Sequence, residues 1–244
     1  MMMVLAKWPW VAEQHWDDLL FIHWPVPYEV LRPHVPEQFE LETFNGTAWI
    51  SIVPFLGNKN RFRGMPGVIP FISSFLELNV RTYIRYKGES GVYFFSFDAD
   101  SNTAVAGART VFSLPYMKAK MSMNRNRKEK EVLFRSQRIQ KDAPSARFFA
   151  RYRPISQASH ARVGSLTHWL VERYCLFNIK EDKVLKGPIN HSPWELQEAE
   201  LELEMDDLVP FLPNKYLSAS PLVHYSKRKK VHFYPFETVG EVNK

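Results

Sequence analysis

The sequence predicts an α+β fold: a curved antiparallel sheet or open β-barrel carrying a few packed helices, in one domain spanning residues 1–244. Three observations predict it. Segments in which apolar and polar residues alternate outnumber those with helical spacing. The 17 prolines are spread along the chain, so none marks a linker between domains. And 244 residues with 45% hydrophobic content can fill one large core, helped by 18 Phe, 10 Tyr and 7 Trp.

The elements follow in order. "VPYEVLRPHVP" reads as a short helix; Pro27 suits its first turn and Pro33 ends it. "GTAWISIVPFLG" is β-branched and aromatic between glycines, a strand. "FLELNVRTYIRY", 75 to 86, alternates, with Leu76, Leu78, Val80, Thr82 and Ile84 on one face and Glu77, Asn79, Arg81 and Arg85 on the other. "KGESG" turns the chain and "GVYFFSFDAD" returns as the second strand of a hairpin. Then the period changes. Ala104, Val105, Ala108, Val111 and Phe112 follow helical spacing, Ser101 or Asn102 can cap the start, and Pro115 stops the helix. "YMKAKMSM" and "KEVLFRSQRI" flank "NRNRK" as a hairpin, and "SARFFARYRPI" is a strand. "GSLTHWLVERYCLF" reads as another helix, capped by Ser165, with Leu166, Trp169, Leu170 and Tyr174 on one side. "ELQEAELELEMDD" is open between strand and helix.

Glu77, Asn79 and Arg81 are the most informative polar residues. On one strand face neighbours sit about 7 Å apart, and Glu77 to Arg81 is about 13 Å, too far for a direct ion pair. Two readings are open: a solvent face of an antiparallel sheet, or a row lining a polar cavity. Phe75 and Tyr83 on the same face favour the cavity. Arg109, beside Val105 and Phe112 by helical spacing, is placed partly on the buried side, where it needs a carboxylate, or else snorkels.

Other classes find little support. The single cysteine, Cys175, rules out an internal disulfide and thiolate-rich zinc sites, and it fits a cytoplasmic location. The eight histidines show no metal-ligand spacing, so no metal is expected. Glycine-rich nucleotide loops and a nucleophile elbow are missing, so no cofactor is expected either. No apolar run is long enough to span a membrane, and the opening residues lack the pattern of a leader. Net charge is +6, suited to attracting small anions. The basic runs "KAKMSMNRNRKEK" and "SKRKK" read as solvated loops without interleaved aromatics, so neither nucleic acid nor membrane is an expected partner.

"FIHWPVPYEVLRPHVPEQFELETFNGTAWISIVPF", "GVYFFSFDADSNTAVAGARTVFSLPY", "GSLTHWLVERYCLF" and "NHSPWELQEAE" resemble the uncharacterised YqjF-like bacterial family over most of residues 16 to 235. That family is similar in fold to acetoacetate decarboxylase. The weaker decarboxylase resemblance rests on "VLRPHVPEQFEL" and "NTAVAGARTVFSLPYMK". It implies a barrel-like sheet around a pocket, oligomeric assembly, and a Pro-Lys-Lys segment whose first lysine forms a Schiff base. Here Pro115 is followed by Tyr116 and Met117, so both lysine positions are lost; one pocket glutamate falls on Glu77.

The expectation is therefore a pocket for a small anionic or carbonyl ligand, in a chain that forms a homo-oligomer by resemblance only. Glu77 serves as acid/base or acceptor, and Tyr116 as a donor where the lysine would be. Arg81 and Arg109 hold a carboxylate, with Asn79 in the same row and His23 as a proton carrier near neutral pH. The alternatives are an amine chemistry through Lys118, two residues beyond Tyr116, and a non-enzymatic interaction or regulatory protein.

Overall fold

The computed structural model describes residues 8–65 and 74–242. Residues 1–7, part of the stretch read for a leader, lie outside the described residues, as do the side chains of Ala108, Val111 and Phe112. The elements in chain order are β1 (Ala12–Val26), α1 (Tyr28–Leu31), β2 (Glu40–Leu41), β3 (Ala48–Phe62), β4 (Ser74–Tyr86), β5 (Glu89–Ala99), α2 (Asn102–Phe112), β6 (Tyr116–Asn126), β7 (Glu131–Arg138), β8 (Arg147–Pro154), β9 (Ser159–His160), α3 (Leu166–Val171), β10 (Cys175–Lys180), β11 (Lys183–Asn190), β12 (Glu195–Asp206), β13 (Leu222–Phe233) and β14 (Glu237–Glu241).

Four antiparallel strands form a wall in the order β13-β1-β3-β4, and β5 extends it through the β4–β5 hairpin. The wall is then closed twice. Through β6, β7, β8 and β12 it returns to β13 as one ring of strands. Through β10 and β11 it returns to β13 as a second, smaller ring. The joints that close the second ring are short: the parallel pair Leu176↔Val92, and Ile189↔Phe233 with Asn190↔His232. Close contact at the first of these needs glycine. A Cβ on Gly91 would stand 2.8 Å from the Phe177 ring and 2.9 Å from the Cys175 carbonyl oxygen.

Each face of the wall is covered. Leu20, Ile22, Ile50, Ile52, Leu78 and Val80 point into the larger ring, against Phe134, Phe148 and Tyr152 of β7 and β8. Leu19, Phe21, Val53, Phe55 and Tyr83 point into the smaller ring, against Val92, Trp194 and the α3 residues Leu170 and Val171. β4 is therefore buried on both faces from Leu76 to Ile84. A bulge in the β4–β5 pairing, between Val80 and Arg81, lets Phe94 and Phe97 both face the smaller ring although they are three residues apart.

Several expectations are corrected. "GSLTHWLVERYCLF" is not one helix. The Ser165 hydroxyl accepts from the His168 amide and starts α3, but α3 ends at Val171 and β10 begins at Cys175. The Arg173 Nε donates to the Trp169 carbonyl at 2.8 Å, and the Glu172 carboxylate accepts from the Trp194 amide at 2.9 Å, so side chains fix the end of the helix. "SKRKK" is not a loop but the middle of β13. The Lys229 ammonium is buried there, donating to the Pro193 carbonyl at 2.7 Å. "ELQEAELELEMDD" resolves as strand β12, and the strand β1 had no clear signal. The β4–β5 and β6–β7 hairpins and α2 form where expected, with the Ser101 hydroxyl accepting from the Ala104 amide.

One ion pair inside the larger ring ties β5 to β7. The Arg138 Nε donates to Asp98 Oδ1 at 2.8 Å and Nη2 to Oδ2 at 3.4 Å, with both side chains almost wholly buried. By contrast Arg147–Asp206, Arg151–Glu202 and Arg153–Glu200 form a ladder across β8 and β12 on the exposed surface. Removing one partner strands a buried charge in the first case and almost nothing in the second. Arg138→Met is expected to cost about 3–5 kcal/mol of unfolding free energy, and Arg151→Ala less than about 1 kcal/mol. Urea denaturation of the two variants checks this; equal losses would contradict it.

Candidate functional site

The smaller ring encloses a cavity of about 330 Å³. All seven of its strands contribute, with Trp16 and Phe21 from β1, Phe55 from β3, Phe94 and Phe97 from β5, Leu176 from β10, Ile189 from β11 and Phe233 from β13. Its wall is mostly apolar and aromatic. The side chains at one end, Arg61 and Phe62, are exposed; those at the other, Arg81, Val171 and Arg173, are buried. The cavity therefore has an open mouth and a closed floor.

The polar row of β4 faces this space. Glu77, Asn79 and Arg81 all line it, because the opposite parity of β4 is committed to the larger ring. Tyr116, the first residue of β6, stacks on Phe97 with ring centroids 4.3 Å apart. Its hydroxyl donates to Glu77 Oε2 at 2.7 Å, and Asn79 Nδ2 donates to Glu77 Oε1 at 3.3 Å. Burial dominates the Glu77 carboxyl and pushes its pKa up to about 7, against the opposing help of these two donors. Burial, with the carboxylate beside it, raises Tyr116 well above the ordinary tyrosine value. Glu77 is thus a carboxyl that exchanges its proton near neutrality, with a phenol beside it that stays protonated.

At the floor stand two guanidinium groups. Arg81 is only 9% exposed and lies over the Phe21 ring, 5.4 Å from its centroid. Its Nε and Nη2 have no hydrogen-bond partner, and among the described residues no carboxylate pairs with it. Burial lowers its pKa from the usual arginine value. Arg173 enters from the end of α3, packed against Tyr83 and Trp169, and pairs with Glu42, which it shares with Arg85. Arg173 Nη2 is also without a partner. A buried donor left unpaired is costly, and both of these groups line the enclosed space.

The other residues singled out in the sequence lie elsewhere. Arg109 is exposed on α2, which corrects the expectation of a partly buried guanidinium: its side of the helix meets solvent. Lys118 does not line the cavity. Its amine donates to the Asp100 carbonyl, because β6 pairs with the end of β5 and turns that side chain toward the start of α2. His23 lies behind the floor, its Nδ1 2.5 Å from the Ser51 hydroxyl, which is 2.6 Å from the Tyr83 hydroxyl. Burial holds the His23 pKa well below the ordinary histidine value, and the ring does not line the cavity. Arg173, hidden inside an over-long helix, and Trp194 were not singled out from the sequence.

Glu77 makes stability depend on pH. Its folded pKa lies above the unfolded value of 4.5, so the folded state binds more protons between about pH 4.5 and 7. Stability is full below that window and falls as pH rises through it, by about 3 kcal/mol in all. Glu77→Gln is expected to remove this slope and to be more stable than the parent above pH 7. Denaturation at pH 5 and pH 8 measures it, and an unchanged difference between the two pH values would refute it.

Known proteins can now be set beside this geometry. The DUF2071 family, described as an uncharacterized conserved protein, matches residues 13–230. The uncharacterized protein YqjF of Bacillus subtilis (strain 168) is 43% identical over 226 residues, 93% of this chain and 91% of that protein. Among solved structures, acetoacetate decarboxylase from Legionella pneumophila superposes with a TM-score of 0.62 at 14% identity, covering 99% of this chain and 92% of that one. An acetoacetate decarboxylase-like enzyme from Sphingomonas wittichii RW1 gives 0.64 at 9% identity, covering 99% and 98%. The enduracididine biosynthesis enzyme MppR complexed with pyruvate gives 0.62 at 10% identity, covering 98% and 94%. At these identities the likeness is one of fold.

Proposed function

The chain belongs to the DUF2071 family, and we propose that its cavity receives a small organic anion. Arg81 grips the carboxylate, and the Glu77–Tyr116 pair serves a carbonyl or hydroxyl oxygen farther up the wall. The observation that carries this reading is the Arg81 guanidinium: buried, without a carboxylate partner among the described residues, with Nε and Nη2 unsatisfied although it also meets the Tyr83 hydroxyl, and lining an aromatic-walled space. A protein does not keep such a group for stability, since an apolar residue of the same shape serves the fold better. The pyruvate held by MppR, whose fold is similar, supports a carbonyl acid as the kind of molecule to test first.

The reaction type follows from what the walls offer. No lysine lines the cavity among the described residues, and Lys118 spends its amine on a backbone carbonyl, so Schiff-base chemistry is not the reading supported. Glu77, near its midpoint at neutral pH, accepts or returns a proton at a carbon or oxygen beside a carbonyl. Tyr116 donates a hydrogen bond to the same oxygen or to the carboxylate. The basic residues at the mouth, Arg61 and Lys230, gather anions; Glu13 neutralises one of them and is itself held at a pKa of about 2, chiefly by Arg61.

Arg81→Met is the decisive variant. It is expected to weaken binding of short 2-oxo acids and simple carboxylates by about 10- to 100-fold, the loss expected for a charged hydrogen-bonding partner. It should leave the free protein as stable as the parent or more so. Calorimetric titration with pyruvate, 2-oxo-4-phenylbutanoate and the matched primary alcohol measures the first, and thermal unfolding the second. Equal affinity for alcohol and acid, or loss of both fold and binding, would sink the reading.

A further inference from the structure

We propose that the ligand is a hydroxy acid with a bulky apolar body: a carboxylate at the floor, a neutral hydroxyl beside it, and an aromatic or branched tail toward the mouth. This rests on the anion-receptor reading of Arg81 and specifies what else the same cavity recognises. The observation behind it is a second orphan. Asn79 Oδ1 is buried in the cavity without a hydrogen-bond partner, while its Nδ2 is committed to Glu77. The amide is therefore oriented, and it presents an acceptor to the cavity.

Three constraints fix the chemistry. First, an orphan acceptor asks for a donor, which neither a carboxylate nor a ketone can supply. Second, the donor must be uncharged. Arg81 stands two residues farther along the same strand face, about 7 Å away, without a carboxylate partner among the described residues. On the other side the two Glu77 oxygens already accept from Tyr116 and Asn79, and the carboxyl is half protonated at neutral pH. An ammonium group placed there meets an uncompensated cation and a carboxyl whose acceptors are in use. A hydroxyl meets the requirement and an amine does not. Third, the position of Asn79 between Arg81 and Glu77 puts this hydroxyl close to the carboxylate, at the 2- or 3-position. Trp194 Nε1, also unpartnered and lining the cavity, is a neutral donor available to the hydroxyl oxygen. The remaining wall is aromatic, so the rest of the molecule is apolar.

The test compares three probes that differ only at one carbon: 2-hydroxy-4-phenylbutanoate, 2-oxo-4-phenylbutanoate and 4-phenylbutanoate. Trp16 and Trp194 line the cavity, so intrinsic fluorescence reports binding, with calorimetry as a check. The hydroxy acid is expected to bind about tenfold more tightly than the deoxy acid, the usual worth of satisfying one buried acceptor. It should also outbind the oxo acid. Asn79→Leu should erase the hydroxyl preference and leave 4-phenylbutanoate within about twofold of the parent value, by the same arithmetic. Asn79→Ser, smaller and polar, serves if the leucine variant does not fold, and should narrow the preference. If the deoxy or oxo acid binds as tightly as the hydroxy acid, the hydroxyl assignment is overturned while the anion receptor stands. If none of the three binds and Arg81→Met changes nothing, both fall.

Discussion

A wall that must be dry on both sides governs this molecule. β13, β1, β3, β4 and β5 are shared by two rings, so neither face of β4 is released to solvent. In an ordinary antiparallel sheet the polar parity of such a strand would be hydrated. Here Glu77, Asn79 and Arg81 are carried inside with it, and each pays in desolvation for its place. That single constraint produces the raised Glu77 pKa, the unpaired guanidinium and the oriented amide. The candidate site is the polar parity of a doubly buried strand, turned toward a cavity.

The two interiors then divide the labour. The larger ring is packed with aliphatic and aromatic side chains, and its buried charge pair Asp98–Arg138 is closed upon itself. The smaller ring is left partly empty, and several of its polar atoms are left without partners. A change in the first should be felt throughout the fold, whereas the second can lose a charge with little harm.

Much of this was legible in the sequence, and the part that was not has a physical reason. The alternation of "FLELNVRTYIRY" gave β4, its hairpin partner and the polar row, because each parity has its own chemistry even when both are buried. β1 escaped because "LLFIHW" is apolar on both parities and shows no period. Arg109 was misplaced because helical spacing gives a face but not which face meets the core, and α2 turns that arginine outward. "SKRKK" misled because a charged run on a strand can send alternate side chains to different surroundings, and Lys229 finds its partners in the backbone near Trp194. Tyr116 was legible as a companion of Glu77 in the candidate site; Arg173 was not, since its entry depends on where α3 stops.

The register of β1 has a consequence for how the chain is made. Ala12 pairs with Phe233 and His23 with Leu222, while on its other edge β1 pairs with β3. During synthesis the edge of β1 that awaits β13 stays open until some two hundred further residues have left the ribosome. Both rings close through β13, so neither interior can be sealed before then. A nascent chain of this kind exposes a long unpaired strand edge and two unfinished apolar surfaces at once, the condition under which strands pair with the wrong neighbour.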